Sequence, residues 1–152
     1  MVIAFVTAGA GFLLAVLWFD LMFDVQLIGH DERELPEALL ASIAGYYGRV
    51  TTSARPMNRL IALVMVATLA AIVAEIATGD APRWVAWASL ALAGAPIGLV
   101  GVRTVPAAVR LGARGDPVDR QSELARSILR EHVMCGVAIT ALLAVQLAAA
   151  SR

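Results

Sequence analysis

The chain has 152 residues, of which 60% are hydrophobic and only 16% are charged. Soluble domains have about 45–50% apolar and about 25% charged residues, and a chain this short has too much surface to keep such an apolar excess from water. The composition therefore excludes an ordinary soluble domain and predicts a membrane protein. Twelve basic residues balance twelve acidic ones, so no basic excess indicates nucleic acid as a partner.

Four apolar segments have about 20 residues or more, the length that a helix needs to cross a ~30 Å hydrocarbon core. Such isolated segments cross lipid only as helices, because each must satisfy its own backbone polar groups. The predicted transmembrane helices cover residues 2–27, 57–77, 84–105 and 128–149. The sequence predicts a single all-α membrane domain over residues 1–152, an integral membrane four-helix bundle.

The first connection is long and contains a fifth predicted helix over residues 36–50. Pro36 suits a first helical turn, and Glu37 suits the dipole of that helix. Apolar and aromatic residues recur there at helical spacing, but the segment is too short and too polar to span. It predicts an amphipathic helix that lies on the interface or caps the bundle, with Tyr46 and Tyr47 suited to the headgroup region.

The other two connections carry turn signals. Gly79 is expected to end the second transmembrane helix and Pro82 to begin the third, so these helices are antiparallel neighbours. In the third connection, Gly112 and Gly115 are expected to break the helix, and the last helix is expected to begin in water near Arg120.

The distribution of arginine predicts the orientation. All twelve basic residues are arginine, and only Arg83 and Arg152 lie on the side of the bilayer that holds the termini. The positive-inside rule places the other ten in the cytoplasm of a bacterium. Both termini are therefore expected outside the cytoplasmic membrane.

Small residues on the third transmembrane helix offer a packing face. Gly94 and Gly98 form a small-xxx-small pattern, which favours close helix packing either within the bundle or between two copies of the chain. Pro96 is expected to kink this helix. Cys135 is expected to be a packing residue, and Glu75 is expected to reach water by extending from near its helix end.

Polar residues gather at the arginine-rich end of the predicted bundle. Asp20 and Asp24 are four residues apart and share a helix face, and burying them in lipid would be costly. Arg59, Arg103 and Arg130 are their expected partners, because an antiparallel bundle brings these helix ends together. The opposite end is poorer in polar residues.

Four interpretations of this cluster remain open. They are a structural ion-pair network, a proton or cation path that uses a carboxylate, a metal site, and an active site for an amphipathic substrate. No tight ligand spacing indicates a metal, and the sequence identifies no cofactor. The metal interpretation would draw its ligands from Asp20, Asp24, His30, Glu131 and His132.

The active-site interpretation assigns a role to each polar residue. His132 would be the general base, with Asp20 and Asp24 as the other candidate catalytic residues. The candidate substrate-binding residues are Trp18, Asn58, Arg59, Arg103 and Arg130. This interpretation predicts a cavity of a few hundred Å³ among these residues.

Three stretches resemble small four-span membrane proteins of the anthrone oxygenase-like family. They are residues 9–11 (Gly-Ala-Gly), Thr104-Val105-Pro106 followed by Leu111, and residues 125–132, which end at His132. The resemblance implies the four-helix fold and oxygen-dependent chemistry on polycyclic aromatic molecules. Ala107 and Ala108 stand where that family has an Asn, and His132 alone matches one of its polar positions.

Three classes of function follow. The first is a structural or accessory component of the membrane, as a homo-oligomer or within a larger assembly. The second is a membrane enzyme, oxygenase-like, that acts on a lipophilic substrate. The third is a small proton-linked transporter that uses Asp20 or Asp24, although no inverted repeat is evident between the two halves of the chain.

Overall fold

A computed structural model describes residues 2–151, and every regular element in that part of the chain is helical. Short 3₁₀ and π-helical turns join some of the helices. The six α-helices are α1 (Val2–Asp24), α2 (Glu37–Gly48), α3 (Met57–Thr78), α4 (Arg83–Leu99), α5 (Val105–Ala113) and α6 (Val118–Ala150).

Four helical runs are long and apolar enough to cross a membrane, namely Val2–Leu27, Met57–Thr78, Arg83–Ala113 and Val118–Ala150. They form a closed ring in which α1 packs between α3 and α6, and α4 packs between the same two helices on the other side. The predicted all-α membrane bundle is therefore confirmed.

The membrane part of the bundle has its own apolar core. Its buried side chains come from α1, α3, α4 and α6 and include Val6, Leu13, Ile72 and Leu142. Gly9 permits a close approach of α1 to α3, since a Cβ there would lie 2.1 Å from the Thr68 hydroxyl oxygen. Many apolar side chains on the outer surface remain exposed, as expected for helices that face lipid.

A second apolar core lies at the arginine-rich end, where α2 caps the bundle. Leu40, Ile43 and Ala44 of α2 are buried against α5 and the first half of α6, including Leu111 and Ile128. Of the two predicted placements of the amphipathic helix, the structure therefore has the capping one. These contacts with α5 and α6 fix the position and the rotation of α2 over the end of the transmembrane bundle.

The third and fourth spans extend beyond the segments predicted at 84–105 and 128–149. The helical run that begins at Arg83 continues to Ala113, and α6 begins at Val118. The prediction that Gly112 breaks the helix is wrong, since this residue lies inside α5. Its Cα lies against the backbone of Gly48 in α2. A glycine in this position allows two helix backbones to touch. The chain instead turns at Arg114, which adopts a left-handed conformation with φ 55°.

Candidate functional site

Asp24 is the centre of a buried hydrogen-bonded network at the arginine-rich end. Its side chain is completely buried, and the Tyr47 hydroxyl donates a hydrogen bond of 2.6 Å to Oδ1. The His132 Nδ1 atom lies 2.7 Å from Asp24 Oδ2 and 3.3 Å from the Tyr47 hydroxyl. Both carboxylate oxygens are therefore satisfied, by side chains from α2 and α6.

Asp20, one turn earlier on α1, extends this network towards the surface. Its Oδ1 accepts a 2.7 Å hydrogen bond from the Tyr46 hydroxyl, and its side chain is 15% exposed. His132 Nε2 lies 4.0 Å from Asp20 Oδ2, which is too long for a hydrogen bond. We call these five residues, Asp20, Asp24, Tyr46, Tyr47 and His132, the Asp24 network.

The two tyrosines enter the network because α2 caps the bundle. Tyr47 is buried next to Ile43 and Ala44, and the ring of Tyr46 stacks on Phe23 with the ring centroids 4.0 Å apart. Burial, followed by the negative charge of Asp24, raises the pKa of Tyr47, and burial followed by Asp20 raises that of Tyr46. Both hydroxyl groups therefore remain neutral donors at physiological pH.

A second polar group surrounds the buried Glu131 of α6. The Thr104 hydroxyl donates to Oε2 at 2.6 Å, and the Ser127 hydroxyl donates to Oε1 at 3.1 Å. The Nε atom of Arg103 lies 3.5 Å from Oε1, although the Arg103 side chain is 65% exposed. This carboxylate is thus paired with the π-helical turn Val100–Thr104 that follows α4, and it makes no hydrogen bond to the carboxylates of α1.

The structure assigns different partners to the predicted site residues. Among residues 2–151, no arginine forms an ion pair with Asp20 or Asp24. Arg103 binds Glu131, while Arg59 and Arg130 are exposed and form no ion pair in that part of the chain. The expected arginine partners are therefore wrong, because α2 lies over the end of α1 and supplies its tyrosines.

The remaining predicted residues also lie apart from the carboxylates. Asn58, in the first turn of α3, donates through Nδ2 to the Thr51 backbone oxygen of the connection between α2 and α3 at 3.3 Å. His30 lies 3.5 Å from Glu32 in the first connection. Neither residue contacts the Asp24 network.

Trp18 lines an open groove between α1 and α6 of about 840 Å³. The groove faces outward and has an apolar lining that includes small residues such as Gly11 and Gly136. Asp20, Asp24 and His132 do not line it. The cavity that the active-site interpretation places among these polar residues is therefore not this groove.

Glu75, at the opposite end of the bundle, does not extend to water as predicted. Its side chain is completely buried, and its Oε2 accepts a 3.0 Å hydrogen bond from the Gln146 amide of α6. The same amide nitrogen donates to the Ser89 hydroxyl of α4 at 2.8 Å. The side chain turns inward because α4 and α6 provide polar groups at the same depth.

Tyr46 and Tyr47 are the network residues that sequence reasoning missed. The available signal was their position beside the buried apolar residues of α2, which places Tyr47 on the same face as Ile43 and Leu40. An aromatic residue with a hydroxyl group is usually an interfacial anchor in such a helix. Only the docking of α2 shows that the hydroxyl groups point into the bundle.

The Asp24 network contains groups that can hold protons, but its geometry is that of a closed hydrogen-bonded cluster. Asp24 orients the His132 ring, as carboxylates do for a histidine base, yet the second ring nitrogen faces Asp20 within the protein. No family model, curated protein or solved structure matches this chain significantly.

Proposed function

We propose that the protein is a non-enzymatic structural component of a bacterial cytoplasmic membrane and associates with a second copy of itself through one face of α4. The observation that carries this proposal is the open surface around Gly94 and Gly98. A Cβ added to either glycine would meet no atom within 4 Å. Neither glycine is therefore needed for packing inside the chain.

Glycine in a helix interior costs about 1 kcal/mol relative to alanine. Close approach of another backbone offsets that cost in membranes, where small-xxx-small faces join helices by van der Waals packing. Other small residues are exposed on the same surface, namely Ala91 and Ala95 of α4 and Gly101 of the π-helical turn that follows it. These residues provide a shallow surface on which a second α4 would fit.

The Asp24 network supports a structural role more than a catalytic one. Asp24 has no free carboxylate oxygen, and its partners connect α1, α2 and α6. A buried charge that is fully hydrogen-bonded stabilises one arrangement of helices, since breaking any one contact leaves a costly unpaired group. We infer that the network holds α2 as a cap over the arginine-rich end.

The same proposal includes an orientation. Ten of the twelve arginines lie at the end capped by α2, in its connections and in the helices beside them. The positive-inside rule assigns this end to the cytoplasm. In this orientation both chain termini face outward, and the lipid bilayer surrounds the exposed apolar side chains of all four spans.

Association through α4 is tested with Gly94→Ile and Gly98→Ile. The monomer has space for these side chains, so both variants are expected to fold. Mass measurement in mild detergent should give a dimer for the native protein and a monomer for each variant. Ala70→Ile is the matched control, because Ala70 is an exposed small residue on α3, and it should remain dimeric.

A strictly monomeric native protein, both in detergent and after chemical cross-linking in its own membrane, would contradict the proposal. Dimers that persist in both glycine variants but are lost in Ala70→Ile would also contradict it, because they would place the contact on α3.

A further inference from the structure

The apolar groove between α1 and α6 has the length of one leaflet of a membrane. Its lining extends on α1 from Gly11 to Leu21 and on α6 from Val133 to Ala144. At 1.5 Å per helical residue, these stretches measure about 15 to 17 Å, which is close to half of a ~30 Å hydrocarbon core. Leu21 and Val133 directly follow residues of the Asp24 network in the chain, so the groove begins near the arginine-rich end.

The lining of this groove suits a hydrocarbon chain. Its one hydroxyl group, that of Thr140, already donates to the backbone oxygen of Gly136 at 2.7 Å within α6. A Cβ added to Gly11 or to Gly136 would meet no atom within 4 Å, so no other residue of the chain occupies the space beside them. The groove of about 840 Å³ therefore offers apolar surface to an occupant from outside the chain.

Arg130 lies on the groove side of α6, one turn before the lining begins. It precedes Val133 and Val137 by three and seven residues, which places the three residues on one face of the helix. Both valines line the groove and are exposed, and Arg130 is exposed as well. The Cα of Arg130 lies about 4.5 Å along the helix axis from that of Val133. A positive charge therefore stands at the arginine-rich end of the groove.

The neighbouring carboxylates do not neutralise this charge. Among residues 2–151, Arg130 forms no ion pair. Glu123, two turns earlier on α6, is paired with Arg120 at 2.6 Å, and Asp20 of α1 accepts a hydrogen bond from a tyrosine of α2. Arg126, one turn earlier, adds a second positive charge and binds backbone oxygens of the first connection. Arg130 is thus available to an anion.

We propose that this groove binds one anionic phospholipid, with an acyl chain along the groove and the headgroup phosphate on Arg130. A guanidinium group pairs with phosphate through two parallel hydrogen bonds, and basic residues beside membrane helices attract anionic lipids. The length of the groove favours a lipid over a helix of a second copy, because a spanning helix would need a contact about twice as long. The surface proposed for self-association lies on α4, which does not line the groove.

The test measures how brominated acyl chains quench the fluorescence of Trp18, which lines the groove. Trp84 and Trp87 are exposed on α4, and replacing both with Phe leaves Trp18 as the only tryptophan. This protein is placed in phosphatidylcholine vesicles, in which brominated phosphatidylglycerol or brominated phosphatidylcholine with the same chains replaces an increasing share of the lipid. Phosphatidylglycerol should bind beside Trp18 about fivefold more tightly than phosphatidylcholine, since one arginine attracts its anionic headgroup.

Two kinds of variant separate the headgroup contact from the groove. Arg130→Gln should make the two lipids bind equally. Gly136→Leu should do the same because its side chain fills the groove, and Gly11→Leu repeats that change from the side of α1. Arg59→Gln is the matched control and should keep the preference, since Arg59 is another exposed arginine at this end that forms no ion pair within residues 2–151.

Equal quenching of Trp18 by the two lipids without the Arg130 or glycine substitutions would overturn the proposal, as would an unchanged preference in Arg130→Gln. A dimer that becomes a monomer in Gly136→Leu would also overturn it, because a second copy would then occupy the groove. The preference between lipids is measured on monomers and dimers alike. Failure of the proposed association through α4 would therefore leave this test unaffected.

Discussion

Tyr47 and Asp24 form a 2.6 Å hydrogen bond in which the hydroxyl group of the capping helix reaches a carboxylate that has no contact with solvent. The bond joins a helix that does not span the membrane to one that does. Its importance follows from burial, because neither group can replace its partner with water.

Removing the Tyr47 hydroxyl should destabilise the protein measurably. Tyr47→Phe keeps the ring and deprives Asp24 of one of its two partners, so the free energy of unfolding is expected to fall by about 1–3 kcal/mol. Thermal unfolding in detergent measures the change. Tyr46→Phe is the control, with a smaller loss because Asp20 is partly exposed. A larger loss in the free energy of unfolding for Tyr46→Phe than for Tyr47→Phe would contradict the prediction, because the less buried hydrogen bond would then contribute more.

Alkaline pH should weaken the same contacts. The pKa of Tyr47 is raised in the folded protein by burial and by the charge of Asp24, so its stabilising contribution is complete below about pH 10, the unfolded value. Above that pH the unfolded state loses its proton first, and stability should fall by up to about 1.4 kcal/mol per pH unit for each such tyrosine. The free energy of unfolding of Tyr47→Phe should fall less steeply than that of the native protein between about pH 10 and 11. Parallel curves for the two proteins would contradict the raised pKa of Tyr47.

Asp24 and His132 should be energetically coupled. A double-mutant cycle with Asp24→Asn and His132→Gln is expected to give a coupling energy of about 1–3 kcal/mol, since the two side chains are in direct contact at 2.7 Å. The pair Asp20 and His132, separated by 4.0 Å, provides the comparison and should couple less. Equal coupling in both cycles would mean that His132 is shared evenly by the two carboxylates.

The crossing of α2 and α5 depends on Gly112. A Cβ there would lie 2.6 Å from the backbone nitrogen of Gly48, and a backbone atom cannot move aside as a side chain can. Gly112→Ala should therefore cost about 1–3 kcal/mol, measured by thermal unfolding. Gly45→Ala, on the open side of α2 with no atom within 4 Å of the added carbon, should instead be neutral or stabilising by up to about 1 kcal/mol. A stable Gly112→Ala variant would show that the two helices can separate without loss.

Sequence reasoning predicted the four spans, a short amphipathic helix between the first two of them, and the meeting of Asp20, Asp24 and His132 at one end. These features depend on segment length, periodicity and antiparallel order, which are local properties. The partners of the carboxylates could not be predicted, because the choice between Arg59 and Tyr47 depends on how α2 is rotated. That rotation is set by packing between residues distant in the chain, such as Ile43 and Ile128.

The Glu75 group shows the same limit at the other end of the bundle. Its distance from the helix end suggested that the side chain reaches water, and this inference used only the length of the side chain. The inward direction depends on Gln146 and Ser89, which are 71 residues after and 14 residues after Glu75 in the sequence. In this bundle, the Glu75 side chain lies towards the polar group of α6 rather than towards water.

The spacing of the Asp24 partners along the chain has a consequence for biosynthesis. Tyr47 follows Asp24 by 23 residues, whereas His132 follows it by 108. During synthesis α1 and α2 exist long before α5 and α6, which hold α2 in place. The pairing of Asp24 is therefore completed only when the last helix inserts and closes the ring.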